Sequence, residues 1–386
     1  MDAQRVVWVD WMRVIACFMV MVVHCTEPFY LGGDGALVLT EADAVWVAVI
    51  DSAVRMCVPL FVIASSMLLF PTRDSSMAFA KKRTARLLVP FALWSLAYAL
   101  LSGDAGESLP SLLLNFNYSA GHLWFVYMLV GIYLLIPLLS PWAERVSKRE
   151  LQVYLAIWSV TTLLPFVREI ASGGATAVVY GPTGIPRQAL FPLWGEASWN
   201  PYGTFYYISG FIGYLFLGLY FRRFAPNLSA KKSLLMGGTL WLLGFAITAG
   251  GMLYKILAHG SFPAKGGIDT CVSWEWTLNY DTTGVALMAI GALLILKQIN
   301  AGGWIYENVI LPVSKASYGM YLSHMLVLAS VITTLRDAWG VGEAGALGIF
   351  TTPIQILLGA IITYATVAAC CVLLRKLPKA GKWIVG

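Results

Sequence analysis

Arg13 and His24 stand eleven residues apart in one apolar stretch, WVDWMRVIACFMVMVVHC. At 100° per residue, eleven residues make three turns plus about 20°, so both side chains leave one face of a helix. The rise between them is about 16.5 Å, roughly half a hydrocarbon core. A charge at that depth costs from a few to about 10 kcal/mol, depending on the measure. Asp10 lies one turn before Arg13, within pairing reach. Three ionisable groups in one span point to a water-filled cavity. Imidazole titrates near neutrality and can take a proton from a hydroxyl, so His24 is the candidate general base. A guanidinium stays charged and offers several donors to carbonyl, phosphate or carboxylate oxygens, which suits Arg13. A structural ion pair between Asp10 and Arg13 is compatible with that work.

Other residues carry chemistry with a plainer reading beside it. Arg55, in SAVRMCVPLFVIASSMLLF, either faces the same cavity or snorkels outward. His122 opens HLWFVYMLVGIY, and with Trp124 and Tyr127 it forms either a substrate-binding set or an interfacial aromatic belt. His324 falls mid-span in SKASYGMYLSHMLVL, as a substrate-facing group or a satisfied core histidine. The run PTRDSSMAFAKKRTARLL carries Arg73, Lys82, Arg83 and Arg86. Membrane topology alone accounts for such a cluster, and it also suits the phosphates of a nucleotide, with Arg73 foremost. His259, in a loop, receives no role. No histidine pair has metal-ligand spacing, so no metal is expected. HExxH, GxSxG, P-loop and Rossmann patterns are all missing from the sequence.

The elements that must position these residues follow from composition. Of 386 residues, 59% are hydrophobic and only 12% charged, about half the charged share of soluble domains. An all-α polytopic membrane protein is the expectation, because helices satisfy their own backbone in lipid. The alternation of an outer-membrane barrel is missing. The first apolar run, carrying Asp10 and Arg13, reads as a retained helix rather than a cleaved signal. Apolar runs place about ten helices near 7–27, 46–70, 87–102, 122–141, 151–167, 203–221, 234–253, 280–297, 309–334 and 354–374. The stretch 303–315 reads as a separate interfacial helix leading into the ninth. With the N-terminus inside, one side collects Arg5, the five cations of 73–86, the three of 145–149, the four of 222–232, Lys297, Lys315 and the four of 375–382. That is 19 of 26 basic residues, against five on the other side, Arg168, Arg187, Lys255, Lys265 and Arg336. The bias puts both termini in the cytoplasm. It also accounts for the net charge of +6 without nucleic acid. No repeat or linker divides residues 1–386, so one transmembrane domain is expected. Residues 168–202, rich in Gly, Pro and aromatics, form a connector longer than packing needs, and its aromatics suit sugar faces or an interfacial belt. Cys17, Cys57, Cys370 and Cys371 read as packing residues, and Cys25 and Cys271 as a pair that could meet on the outer side.

Four stretches together resemble the bacterial acyltransferase 3 family of integral-membrane acyltransferases. They are WVDWMRVIACFMVMVVH with its Arg-x10-His pattern, VPLFVIASSMLLF, HLWFVYMLVGIYLLIPLL and SKASYGMYLSHMLVL. One departure stands out: the family's Ser-Gly is Ser65-Ser66 here, and serine is small enough to keep most of a close helix approach. The chain is most similar to short members, without a fused esterase-like domain, that acetylate envelope polysaccharides or lipid-linked precursors. That resemblance implies a bacterial cytoplasmic (inner) membrane location. It also implies acetyl-CoA entering from the cytoplasm and a glycan or lipid-linked sugar hydroxyl met at the outer side. His24, with Arg13 and Asp10, would then serve catalysis. Arg73, Lys82, Arg83 and Arg86 would hold the donor. Arg55, His122, Trp124, Tyr127 and His324 would face substrate. Whether His24 is a base or a transient acyl carrier stays open. A transporter or flippase using the same intramembrane groups is the alternative.

Overall fold

A computed structural model describes residues 6–30, 40–171, 203–259, 274–339, 351–378 and 380–386. All ten apolar segments fold as helices, and the described residues contain no strand. The chain is an all-α polytopic membrane protein. Among the described residues nine helices are long and apolar enough to cross a bilayer.

Helix α1 (Val7–Tyr30) is the centre of the bundle. It packs against α2 (Glu41–Val54), α3 (Cys57–Leu69), α12 (Leu311–Trp339) and α13 (Thr352–Arg375). Its charged face is therefore turned toward protein rather than lipid. We call the end where α1 begins the basic end and the opposite one the far end.

The second apolar segment, expected as one span, is broken at Arg55 and Met56 into α2 and α3. Pro59 has no N–H to give the Arg55 carbonyl four residues back, so the ladder fails there. Thr40 caps α2 with a reciprocal bond to Asp43. Helix α4 (Ser76–Leu101) starts much earlier than the hydropathy suggested, capped by Ser75. The basic run 81–86 is thus helical, not loop. After α5 (Ala105–Ser111), α6 (Trp124–Arg145) runs from the far end toward the basic end. Then come α7 (Lys148–Thr161), α8 (Leu164–Ala171), α9 (Phe211–Phe224) and α10 (Ala230–His259).

The eighth segment departs from expectation. Helix α11 (Thr283–Leu296) has only 14 residues, about 21 Å against a core of about 30 Å. It is held against α10 by glycines seven residues apart. A methyl on Gly237 would lie 2.7 Å from the Gly291 carbonyl, and one on Gly244 2.8 Å from the Met288 amide nitrogen. Only hydrogen fits, and the backbones pack directly.

The stretch 303–315 is not a separate helix. A widened turn, Tyr306–Ile310, runs straight into α12. Pro312 cannot donate to the Asn308 carbonyl, and the wide turn accommodates that loss. Ser66 keeps the close approach sought at the Ser65-Ser66 departure. Its hydroxyl donates to the Leu215 carbonyl at 2.6 Å, and a methyl on the facing Gly218 would meet its Cβ at 2.5 Å. Cys17, Cys57 and Cys371 are buried and Cys370 is exposed. Cys25 is a free buried thiol, and Cys271 lies outside the described residues.

Candidate active site

Two cavities lie along the charged face of α1. The one toward the far end has a volume of about 460 Å³. His24, Arg55, His122 and Trp124 line it, with Glu27, Glu275, Tyr280 and Asp281. The one toward the basic end has about 470 Å³. Arg13, Arg83, Arg86, Lys315 and Arg375 line it, and none of its described lining residues is Asp or Glu. The two cavities carry opposite charge characters, and the 11-residue spacing puts His24 on one and Arg13 on the other.

His24 is not alone. Its Nδ1 lies 2.8 Å from Glu27 Oε2, one turn further along α1. A carboxylate only accepts, so Nδ1 carries the proton and Nε2 keeps its lone pair. Glu27 thereby fixes the tautomer, as the acid does in a hydrolase triad. His324 packs against the same ring at 4.9 Å between centroids, and His122 lies 6.1 Å away. His324 is fully buried behind His24 rather than on the cavity wall. Its Nδ1 donates to the Tyr321 carbonyl at 2.5 Å, which leaves Nε2 as an acceptor. Among the described residues, His122 Nε2 and His324 Nε2 are buried with no hydrogen-bond partner. A buried group left unsatisfied costs about 1–3 kcal/mol.

Arg13 Nη2 donates to Ser317 Oγ at 3.0 Å while its guanidinium faces the cationic cavity. Asp10 does not line either cavity. It is buried and accepts from Tyr306 at 2.8 Å and Ser314 at 2.5 Å. The wide turn before α12 brings Tyr306 to it, so Asp10 anchors α12 beside α1. Arg55 lines the far cavity, yet its Nη2 is tied to Asp51 at 2.9 Å and Glu275 at 2.7 Å. The Tyr30 hydroxyl sits between those carboxylates.

The basic cluster divides. Arg83 and Arg86 lie three residues apart on one face of α4, on the cationic cavity. Lys82, 100° to the side of Arg83, is exposed beside Asp74 at 3.6 Å and lines neither of these two cavities. Arg73 is almost fully exposed, 3.8 Å from Glu144. It borders a third hollow of about 690 Å³ with Arg83, Arg222 and Arg223. Arg83, Leu68 and Leu69 belong to both neighbours, so this hollow is a vestibule of the cationic cavity. Tyr127 faces outward, where its hydroxyl accepts from the Phe116 amide at 2.8 Å. It lines neither cavity. Trp124 does, stacked on Tyr280 at 5.7 Å.

Residues 6–375 match the family model described as an acyltransferase domain, acyltransferase 3. The chain belongs to the acyltransferase 3 family. No curated protein and no solved structure matches it. The protein is thus a multi-pass membrane acyltransferase. Sequence reasoning missed several of this acyltransferase's cavity residues. Glu27 stands at the edge of the span expected at 7–27, where it reads as the start of an acidic connector, whereas α1 runs on to Tyr30. Glu275, Tyr280 and Asp281 sit on the turns before α11, although hydropathy reads Tyr280 and Asp281 as the start of the eighth span. Arg222 and Arg223 were counted only as topology signals.

Proposed function

We propose that this protein is an O-acetyltransferase taking acetyl from cytoplasmic acetyl-CoA to a hydroxyl of an envelope glycan or lipid-linked sugar at the outer side of a bacterial cytoplasmic membrane. One observation carries the reading. The His24–Glu27 pair opens on a cavity that abuts, end to end, a second cavity walled by five cations. The donor set fits a CoA nucleotide. Arg83, Arg86, Lys315 and Arg375 present charge to phosphates, and Arg73, Arg222 and Arg223 extend it into the vestibule. The pantetheine arm then points along α1 past Arg13 toward His24. At the other side, Trp124 stacked on Tyr280 offers a face for a sugar ring, with Glu275, Asn279 and Asp281 as hydroxyl partners.

The chemistry balances within these residues. His24 Nε2 takes the proton of the acceptor hydroxyl as its oxygen attacks the thioester carbonyl. Glu27 holds the imidazolium that results. The carbon–sulfur bond breaks, and His24 returns the proton to the leaving thiolate. Ester and free CoA thiol are the products. The His122 Nε2 atom, unpartnered at the cavity wall, has room for a hydrogen bond from the acceptor.

Mass spectrometry of envelope glycans from cells with the protein, without it, and with His24→Ala tests the reading. One acetyl increment should appear only with the wild type. Wild-type acetylation by a folded His24→Ala protein would overturn it.

A further inference from the structure

Phe61, Phe125 and Tyr321 line both cavities, and among the described residues no others do. Phe125 packs on Tyr321 at 5.2 Å and 69°, and on Phe61 at 6.1 Å and 58°. Tyr321 is pinned by its hydroxyl, which donates to the His122 carbonyl. Helical spacing sets the level of this layer. Phe125 on α6 is three residues after His122, which lies in the tight turn leading into that helix, and Tyr321 is three before His324 on α12, each toward the basic end. Phe125 and Tyr321 therefore lie about one turn, roughly 5 Å, from the imidazoles, and Phe61 beside Phe125 completes the septum.

If the donor enters from the cationic cavity, as proposed above, its thioester meets His24 only after crossing this septum. The acyl group is the leading end. Behind it come the cysteamine and β-alanine units, an unbranched chain about 11 Å long when extended. That length covers the crossing and leaves the branched pantoyl carbon on the basic side. Only slender groups then need to pass. A straight acyl chain has the same cross-section at any length, whereas a branch at the α-carbon widens it. Beyond the septum, a cavity of about 460 Å³ has space for several methylenes. We propose that Phe61, Phe125 and Tyr321 select the acyl donor by width rather than by length.

The test uses inside-out membrane vesicles holding the full-length protein and its native envelope acceptor. They receive acetyl-, propionyl-, butyryl-, isobutyryl- or pivaloyl-CoA, each labelled in the acyl group. Label fixed in the glycan fraction is measured. Wild type should use the three straight chains within about tenfold of one another, and isobutyryl and pivaloyl at least about tenfold less than butyryl. Phe125→Ala should raise the isobutyryl-to-butyryl ratio at least about tenfold, and Phe125→Trp should lower it. The ratio cancels any general loss of activity, and Phe125→Leu carries the comparison if the alanine variant fails to accumulate. Equal rejection of butyryl and isobutyryl by the wild type would overturn the proposal. So would an unchanged ratio in the variants. Transfer from no CoA donor at all by the wild type would instead overturn the acyl-CoA reading beneath it.

Discussion

Replacing Glu27 with Gln isolates the charge on the pair. The amide keeps the size of the carboxylate and an oxygen to accept from His24 Nδ1, but it cannot neutralise an imidazolium. The 2.8 Å bond to the carboxylate strengthens once His24 holds a second proton and both partners are charged. The two side chains are 15% and 27% exposed, so water screens the pair only in part. Bonds to charged groups contribute about 1.5–3 kcal/mol. That range corresponds to a fall of about 10- to 150-fold in rate. Because the charge develops as the proton moves, the fall belongs in kcat and not in KM for the donor. Initial rates of labelled acetyl transfer in vesicles, at varied acetyl-CoA, separate the two. Glu27→Asp, which keeps the charge on a shorter arm, should fall between Gln and wild type. A Glu27→Gln protein with wild-type kcat, or one altered only in KM, would refute the pairing as the source of rate.

Two further outcomes follow from packing and charge. Gly244→Ala should lower the thermal midpoint of the solubilised protein by several degrees, since overpacking costs about 1–3 kcal/mol. Gly250→Ala, on the same helix but with nothing within 4 Å of an added methyl, should be neutral or stabilising. Equal midpoints for the two would refute direct backbone packing of α10 on α11. On the donor side, Arg83→Ala should raise KM for acetyl-CoA about tenfold, whereas Lys82→Ala should leave it within about twofold, as expected of an exposed surface pair. Equal effects in a donor titration would mean that the basic run acts as a diffuse charge.

The sequence made one helix face legible because two side chains in lipid need a shared reason. Arg13 and His24 are separated by a fixed rotation, and hydropathy bounds their helix. The ten segments were legible for the same reason, since each is an apolar run. What escaped was whatever breaks the period. Glu27 fell at the expected end of the first span, and α1 carries one more turn than hydropathy marks. Pro59 split a segment that hydropathy reads as continuous. Lys82 and Tyr127 were grouped with their neighbours by composition. Rotation along a helix separates them, and rotation could be applied to Lys82 only once α4 was known to begin at Ser76. Glu275 and Asp281 carried no local signal, because their position depends on how short α11 is.

That shortness ties the fold to the far cavity. Trp276 Nε1 donates to the Gly251 carbonyl at 2.9 Å, and Gly251 is eight residues before the end of α10. The turn before α11 therefore lies about 12 Å below the end of its neighbour. Non-helical backbone at such depth survives only where it lines a cavity or is buried in protein, and this turn does both. Arg55 fastens it through Glu275, while Asp51 and Tyr30 complete the contact. A buried cation between two carboxylates is a poor source of stability, because desolvation offsets most of the attraction. Its value here is positional. It fixes the level at which Tyr280 meets Trp124 and Asp281 faces the cavity. Arg55 thus tethers the wall of the far cavity that it lines. A full-length α11 would have carried its preceding turn out of reach of His24.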